Sequence, residues 1–191
     1  VTGRPTRAER EAAVGKTIPD VGGAGLRVLF VGINPGLWSG AVGHHFAHPG
    51  NRFWKALHAA GLTDERLHPS EEQRMLEAGL GVTNLVPVAT RSAAELTREQ
   101  LRGGAAVLEA KVRVWRPRAV AFLGLGAYRS GFGRPRAVLG PQPEPLGGQP
   151  LWLLPNPSGL QAHYPFEYLV AQLESLRTAV GPWPGREPAA G

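Results

Sequence analysis

Arg27-Val28-Leu29-Phe30-Val31-Gly32-Ile33-Asn34-Pro35-Gly36 decides the fold of this chain. The run after Arg27, to Ile33, is continuously apolar, carries β-branched residues and is of strand length. A strand with no polar alternation is covered on both faces, as in a parallel sheet between helical layers. It stops on Pro35 and Gly36, which remove a backbone donor and permit a tight turn. Asn34 is thereby delivered, on a rigid stop, at the edge of a sheet. An isolated Asn-Pro-Gly is also an ordinary strand stop, and only other segments distinguish the two readings.

Outward from this stretch, strands alternate with amphipathic segments. Gly81 to Pro87, Ala119 to Leu123 and Leu151 to Leu154 read as three further buried strands. Asn51 can cap a helix carrying Phe53, Trp54 and Leu57, closed at Gly61. Ser70-Glu71-Glu72-Gln73 has the capping-box spacing of a second short helix, ending near Gly79. Thr97 and Gln100 repeat that spacing ahead of a stripe of Leu101, Ala105, Leu108, Val112 and Trp115, and Pro117 ends it. Pro165 opens a last helix reaching about Val180. Leu37 to Gly50 and Arg134 to Gln149 read as loops, the latter with an irregular hairpin as the alternative. The expectation is an α/β fold, a single-domain three-layer α/β/α sandwich on a central parallel sheet of about four strands. Arg7 to Val14 could form a short helix, residues 1–25 are otherwise expected to be poorly ordered, 26–180 to form the domain and 181–191 a tail.

With 191 residues the chain is long enough for a full core. Net charge is +6, and Lys16, Lys55 and Lys111 are the only lysines, so the positive charge is carried by arginine. Guanidinium forks suit phosphate, which favours a polyanionic partner over a merely solvated basic surface. There is no cysteine, which excludes disulfides, thiolate metal sites, iron–sulfur clusters and cysteine nucleophiles. No apolar run approaches the roughly 20 residues of a membrane span. A cytoplasmic protein acting at the nucleoid is expected.

In open α/β sheets ligands bind beyond the carboxyl ends of the strands. Three strands end in turn chemistry at that edge: Gly32-Ile33-Asn34-Pro35-Gly36, Asn84-Leu85-Val86-Pro87, and Pro155-Asn156-Pro157-Ser158-Gly159-Leu160. A linked segment, Phe46-Ala47-His48-Pro49-Gly50-Asn51-Arg52-Phe53-Trp54, puts an aromatic ring just ahead of a helix start with Arg52 in its first turn. That suits a flat heterocycle with phosphates nearby.

The Gly-Ile-Asn-Pro-Gly and Phe-Ala-His-Pro-Gly-Asn-Arg-Phe-Trp motifs, followed in order by Gly81-Val-Thr-Asn-Leu-Val86 and Asn156-Pro-Ser-Gly-Leu160, resemble the mismatch-specific uracil/thymine DNA glycosylases. The resemblance spans roughly Arg27 to Leu176. It implies a monofunctional glycosylase domain that needs no cofactor or metal, acts as a monomer on double-stranded DNA carrying uracil mismatches and prefers G·U pairs. It implies that Asn34 positions the attacking water, and that Phe46 stacks on the extruded base. The Ile33 backbone and Asn84 would bind that base, and Ser39 would lie beside its C5. Asn156, Pro157, Ser158, Gly159 and Leu160 would meet the duplex with Arg52, Leu160 as the wedge and Gly159 against the widowed guanine.

The chemistry is consistent with these roles. A glycosidic bond in a duplex is reached only by flipping the nucleotide out, at a cost of a few kcal/mol that a mismatch lowers. An apolar wedge fills the gap. An amide has no useful basicity, so Asn34 can orient water but cannot deprotonate it, and a slow enzyme is expected. Glu95 is the only acid in the loop after the second strand. It is the alternative base, although a residue just before the Thr97 cap is ordinarily solvated. Ala93, Ala94 and Ala162 bring no functional group where a base or a basic grip could stand. The rival readings are a DNA-damage-binding protein of the same fold without catalysis, and a nucleotide hydrolase, for which no phosphate-cradling loop follows a strand. His44, His45 and His48 match no strong zinc spacing and have no acid nearby in sequence.

Overall fold

The computed structural model describes residues 4–159 and 164–183. Strands β1 (Val28–Gly32), β2 (Leu80–Asn84), β3 (Ala119–Leu123), β4 (Gly140–Pro141) and β5 (Leu151–Leu154) form one sheet in the order β2-β1-β3-β5-β4. The four longer strands are parallel, and β4 adds a short antiparallel edge from the segment read as a loop or hairpin.

Side chains alternate across the pleat and split the core in two. Val28 and Phe30 face a layer built on α3 (Phe53–Ala59) and α6 (Phe166–Val180). Leu29 and Val31 face α4 (Arg98–Trp115) and α5 (Leu125–Gly131). This is the expected three-layer sandwich. In α4, Leu101, Ala105, Leu108 and Val112 are buried, as the stripe predicts, and the Thr97–Gln100 capping box is present. The connection from β1 passes over one face and that from β3 over the other. A topological switch point therefore lies between the carboxyl ends of β1 and β3, where open α/β sheets place their ligands.

Three sequence expectations need correction. The segment after Gly36 is not all loop, because Leu37–Val42 forms α2, ended by Gly43 in the left-handed region. The short helix before β2 is a 3-10 segment, Pro69–Ala78, capped by His68 and Glu71 rather than by Ser70 and Gln73. The N-terminal segment, expected to be poorly ordered, carries α1 (Arg7–Glu11) with a complete Thr6–Glu9 capping box. It continues across the open edge of β2. Val21 and Val82 exchange both backbone hydrogen bonds (3.0 and 2.7 Å), and Gly15 and Lys16 bond to Ala89. Backbone pairing holds this arm with only Ala13, Ile18 and Val21 buried, so composition carried little signal of it. It also covers an edge that would otherwise present unpaired backbone groups.

The start of the tail is held too. Trp183 Nε1 donates to Leu62 O at 3.1 Å, and the Arg27 guanidinium lies over the Trp183 ring. No helix among the described residues is long and apolar enough to cross a membrane.

Phe30 is fully buried in β1 and meets the Phe53 ring edge-on at 5.3 Å. Replacing it with Ala is expected to cost about 3–5 kcal/mol. Urea denaturation should show a lower midpoint with an unchanged slope.

Candidate active site

A cavity of about 630 Å³ opens at the switch point, beyond the ends of β1, β2 and β3. Its size is that of an ordinary ligand pocket. Ile33, Asn34, Ser39, Phe46, Asn84, Asn156 and Ser158 all line it. The loops after three strands and the Phe46 segment thus converge, as read from the sequence.

Asn34 is immobilised from one side. Its Nδ2 donates toward Thr90 Oγ1 at 2.7 Å, Val88 O at 3.1 Å and Pro35 O at 3.2 Å. Thr90 gives its own hydroxyl proton to Ser92 O, so toward Asn34 it can only accept. All three partners being acceptors, the orientation of the amide is forced. Its Oδ1 has no protein donor among the described residues and remains an acceptor for water.

Gly32 makes room for the floor of the cavity. A Cβ there would stand 2.6 Å from Asn84 Oδ1 and 3.2 Å from Phe46 Cζ. The Asn84 side chain has no hydrogen-bond partner among the described residues, so its donor and acceptor both remain for a ligand. Ile33 O accepts from Val86 N at 2.9 Å. That leaves the Ile33 N–H, and not its carbonyl, as the backbone group a ligand could use. Phe46 adopts a left-handed backbone (φ 52°) and packs on Phe53, with ring centroids 4.1 Å apart.

The loop bearing Phe46 is held by polar groups on both flanks. Ser39 is buried and accepts the Ala47 N–H at 3.0 Å, tying α2 to the loop. His44 and His45 each point Nδ1 at one oxygen of Glu72, both at 2.9 Å, and His45 N adds a bond of 2.8 Å. An ionised carboxylate only accepts, so both rings carry their proton on Nδ1. Burial alone pushes the Glu72 carboxyl up. The bonds from His45 and His44 outweigh burial and hold it below its usual value. The acid that seemed missing beside the histidines thus comes from a distant segment, but no cluster that could hold a metal occurs among the described residues. His45 lines the cavity, and its Nε2 is buried without a protein partner.

The loop after β5 is fixed by Arg52. Its Nη1 donates to Tyr164 O at 2.8 Å, its Nη2 and Nε reach Asn156 O and Pro157 O, and its N–H donates to Pro157 O at 3.0 Å. Arg52 is therefore committed to backbone carbonyls. Three loop carbonyls take three of the five guanidinium N–H groups, so Arg52 clamps the two loops together. Asn156 Oδ1 accepts the Ser158 N–H at 2.9 Å. A side chain on Gly159 would meet Gly50 O at 2.4 Å, so the two loops touch through backbone. Leu160 and Ala162 lie outside the described residues.

Glu95 does not reach the cavity. It is exposed and accepts the Ser92 N–H at 2.8 Å in a capping box around the turn Ala93–Glu95. The one carboxylate lining the cavity among the described residues is Glu11, ion-paired with Arg91. Trp38 lines the rim with Arg4 and Arg10 over its ring and His48 against its edge.

Sequence reasoning missed Thr90, Glu72, the pairing of His45 with Glu72 and the docking of the arm on β2. The Thr6-x-x-Glu9 spacing was a legible sign of an ordered helix in the arm. Nothing local pairs Glu72 with His45, 27 residues away, or Thr90 with Asn34.

Glu72→Gln is expected to lower stability at neutral pH by about 1–3 kcal/mol, as a buried charge-assisted network loses its acceptor. A depressed carboxyl value contributes stability above the unfolded value of about 4.3 and loses it as pH falls through the folded value. The gap between wild type and variant should therefore narrow below that pH in thermal unfolding followed by tryptophan fluorescence. A gap independent of pH would contradict the pairing.

The family model of the uracil DNA glycosylase superfamily matches residues 19–177. The fold is similar to a solution NMR structure from Methanosarcina acetivorans, described as a candidate uracil DNA glycosylase, at 19% identity and a TM-score of 0.57 over 86% of this chain and 99% of that one. That likeness speaks to fold alone, but the family match covers most of the chain, its ends included in the same sandwich that carries Asn34, Asn84 and Phe46, and the chain belongs to the uracil DNA glycosylase superfamily.

Proposed function

We propose that this chain hydrolyses the N-glycosidic bond of uracil in double-stranded DNA, preferably from G·U pairs, by base flipping and attack of a water on the sugar. The observation that carries the reading is the one-sided restraint of Asn34. An amide whose NH₂ is bound by three acceptors, with Oδ1 free on a cavity wall, is built to accept one hydrogen bond from a water.

The flipped base would lie on Phe46 with its polar edge toward Asn84 and the Ile33 N–H. Donors to the base oxygens stabilise negative charge as the base departs. Departure creates oxocarbenium character on the sugar, and the oriented water captures it on the face presented to Asn34. Its proton leaves to solvent after the bond has largely broken, so no strong base is required and the reaction is slow. Ser39, beside the base, would limit the space at C5 and set the discrimination against thymine. His45 Nε2 is a further polar atom available to the base. The loop of Asn156, Pro157, Ser158 and Gly159 would enter the duplex, with Leu160 as the wedge. One wedge and one pocket suffice, which fits a monomer needing no cofactor. The rival reading, binding of mismatched DNA without excision, is favoured by Glu11, whose pairing with Arg91 leaves no unpaired carboxylate in the cavity among the described residues.

Labelled duplexes with G·U, A·U or G·T pairs, and single-stranded uracil, followed by alkaline cleavage, separate the two. Abasic product is expected first from G·U, and its complete absence at enzyme excess would leave the binding protein. Asn34→Ala should slow excision by at least about 10²-fold, the scale of a lost positioning contact, with duplex affinity nearly unchanged.

Gly32→Ala leaves Asn34 in place but crowds Asn84 and Phe46. It is expected to weaken base capture, raising the enzyme concentration needed for half-maximal single-turnover excision.

A further inference from the structure

We propose that the N-terminal arm, residues 4–21, is a second DNA-gripping wall of the cavity, with Arg7 as its contact to a backbone phosphate. The proposal rests on the reading that the ligand is duplex DNA, and adds to it an element outside the strand-end loops.

The first observation is position. Arg7, Arg10 and Glu11 of α1 line the same cavity as Asn34. Their spacing of three and four puts them on one helical face, and that face is turned to the cavity.

The second is that packing does not account for this helix. None of the residues of α1 is buried. Its N-terminal end is closed by the Thr6–Glu9 capping box, and the chain after its C-terminal end is bolted to the β2 loop through Gly15, Lys16 and Ala89. A one-and-a-half-turn helix without an apolar face gains nothing from the core. What it does is hold three side chains at the cavity mouth.

The third is the use of its charges. Glu9 is taken by the cap and Glu11 by Arg91. Arg10 lies over Trp38 and bonds Thr6 O, with Arg4 over the same ring. Arg7 is exposed and has no acceptor or aromatic partner among the described residues. A guanidinium on the rim, with the neighbouring acids neutralised, is a site for an anion.

The fourth is the shape of the ligand. A flipped nucleotide buries its base deep, near Asn84 and Phe46, and carries its phosphates at the mouth. The cavity is larger than one pyrimidine ring needs, and the exposed Arg7 and Glu11 of the arm line it together with the strand-end loops. Arg52 spends three guanidinium N–H groups on loop carbonyls, whereas Arg7 keeps all of its donors for a strand at the rim.

The test is binding and excision measured together. A fluorescein-labelled duplex with one G·U pair is titrated by anisotropy across a range of KCl, in an Asn34→Ala background so that the duplex is not consumed. Arg7→Ala should weaken binding about 3–10-fold at low salt and lower the salt slope by about one phosphate's worth. Arg7→Glu should weaken it further. Arg113→Ala is the control, since Arg113 lies in the last turn of α4, toward the opposite edge of the sheet. With Asn34 restored, the saturating single-turnover rate of Arg7→Ala should stay within about twofold of the parent, because a phosphate contact contributes uniform binding. Unchanged melting temperatures confirm that the arm stays docked. If the parent excises uracil and Arg7→Ala binds like Arg113→Ala at every salt, the arm is only a structural strap. If the parent neither binds nor excises from any uracil duplex, the glycosylase reading falls and the arm proposal falls with it.

Discussion

The site depends on the parallel register of β1 on β2, which sets Gly32 opposite Asn84. Strand side chains alternate faces, so a slip of one residue would turn every core residue of β1 to the wrong layer. Because both faces are apolar, it is the close packing of each face against its own helical layer, and not polarity, that resists the slip. The same register brings the last residues of the two strands to one edge, where Gly32 lacks the side chain that would displace Asn84 and Phe46. Core packing and site geometry are thus a single constraint, and the strand ends cannot be repositioned without unpacking the sandwich.

Around that edge, polar groups are spent on rigidity before any are left for chemistry. Arg52 and its carbonyl partners join the loop after β5 to the start of α3. Glu72 joins both histidines ahead of Phe46 to the 3-10 segment before β2. Removing a carboxylate from water is costly, and the site recovers that cost only because each oxygen is bonded. Among the polar groups left unpaired in the described residues are Asn34 Oδ1, the Asn84 amide, the Ile33 N–H and His45 Nε2. They converge on one cavity, which is the arrangement needed to hold a heterocycle and one water in fixed relation.

The same economy explains the modest chemistry of the pocket. An amide and a paired carboxylate lower no barrier by proton abstraction. They suit a bond that breaks by charge separation, with donors aimed at the departing base. On the proposed function, selectivity would fall to whether a nucleotide can be extruded and held, which would put weight on the strand-end loops and on the arm at the rim rather than on a catalytic base.

The sequence by itself determined the layered α/β class, the four parallel strands, the α4 stripe and the convergence of Asn34, Asn84 and Asn156 at one sheet edge. These follow from periodicity and turn chemistry, which are local. The tertiary structure alone decided which side chains are free. Arg52 and Glu95 looked available in one dimension and are consumed by carbonyls and a cap, whereas Arg7, unremarkable in a segment with little apolar content, stands at the cavity mouth. The acid that orients His45, the hydroxyl that fixes Asn34 and the backbone pairing that orders the arm all come from residues distant in the chain. Hydrogen-bond partners are assigned by proximity in the folded state, and no local pattern of residue types encodes that proximity.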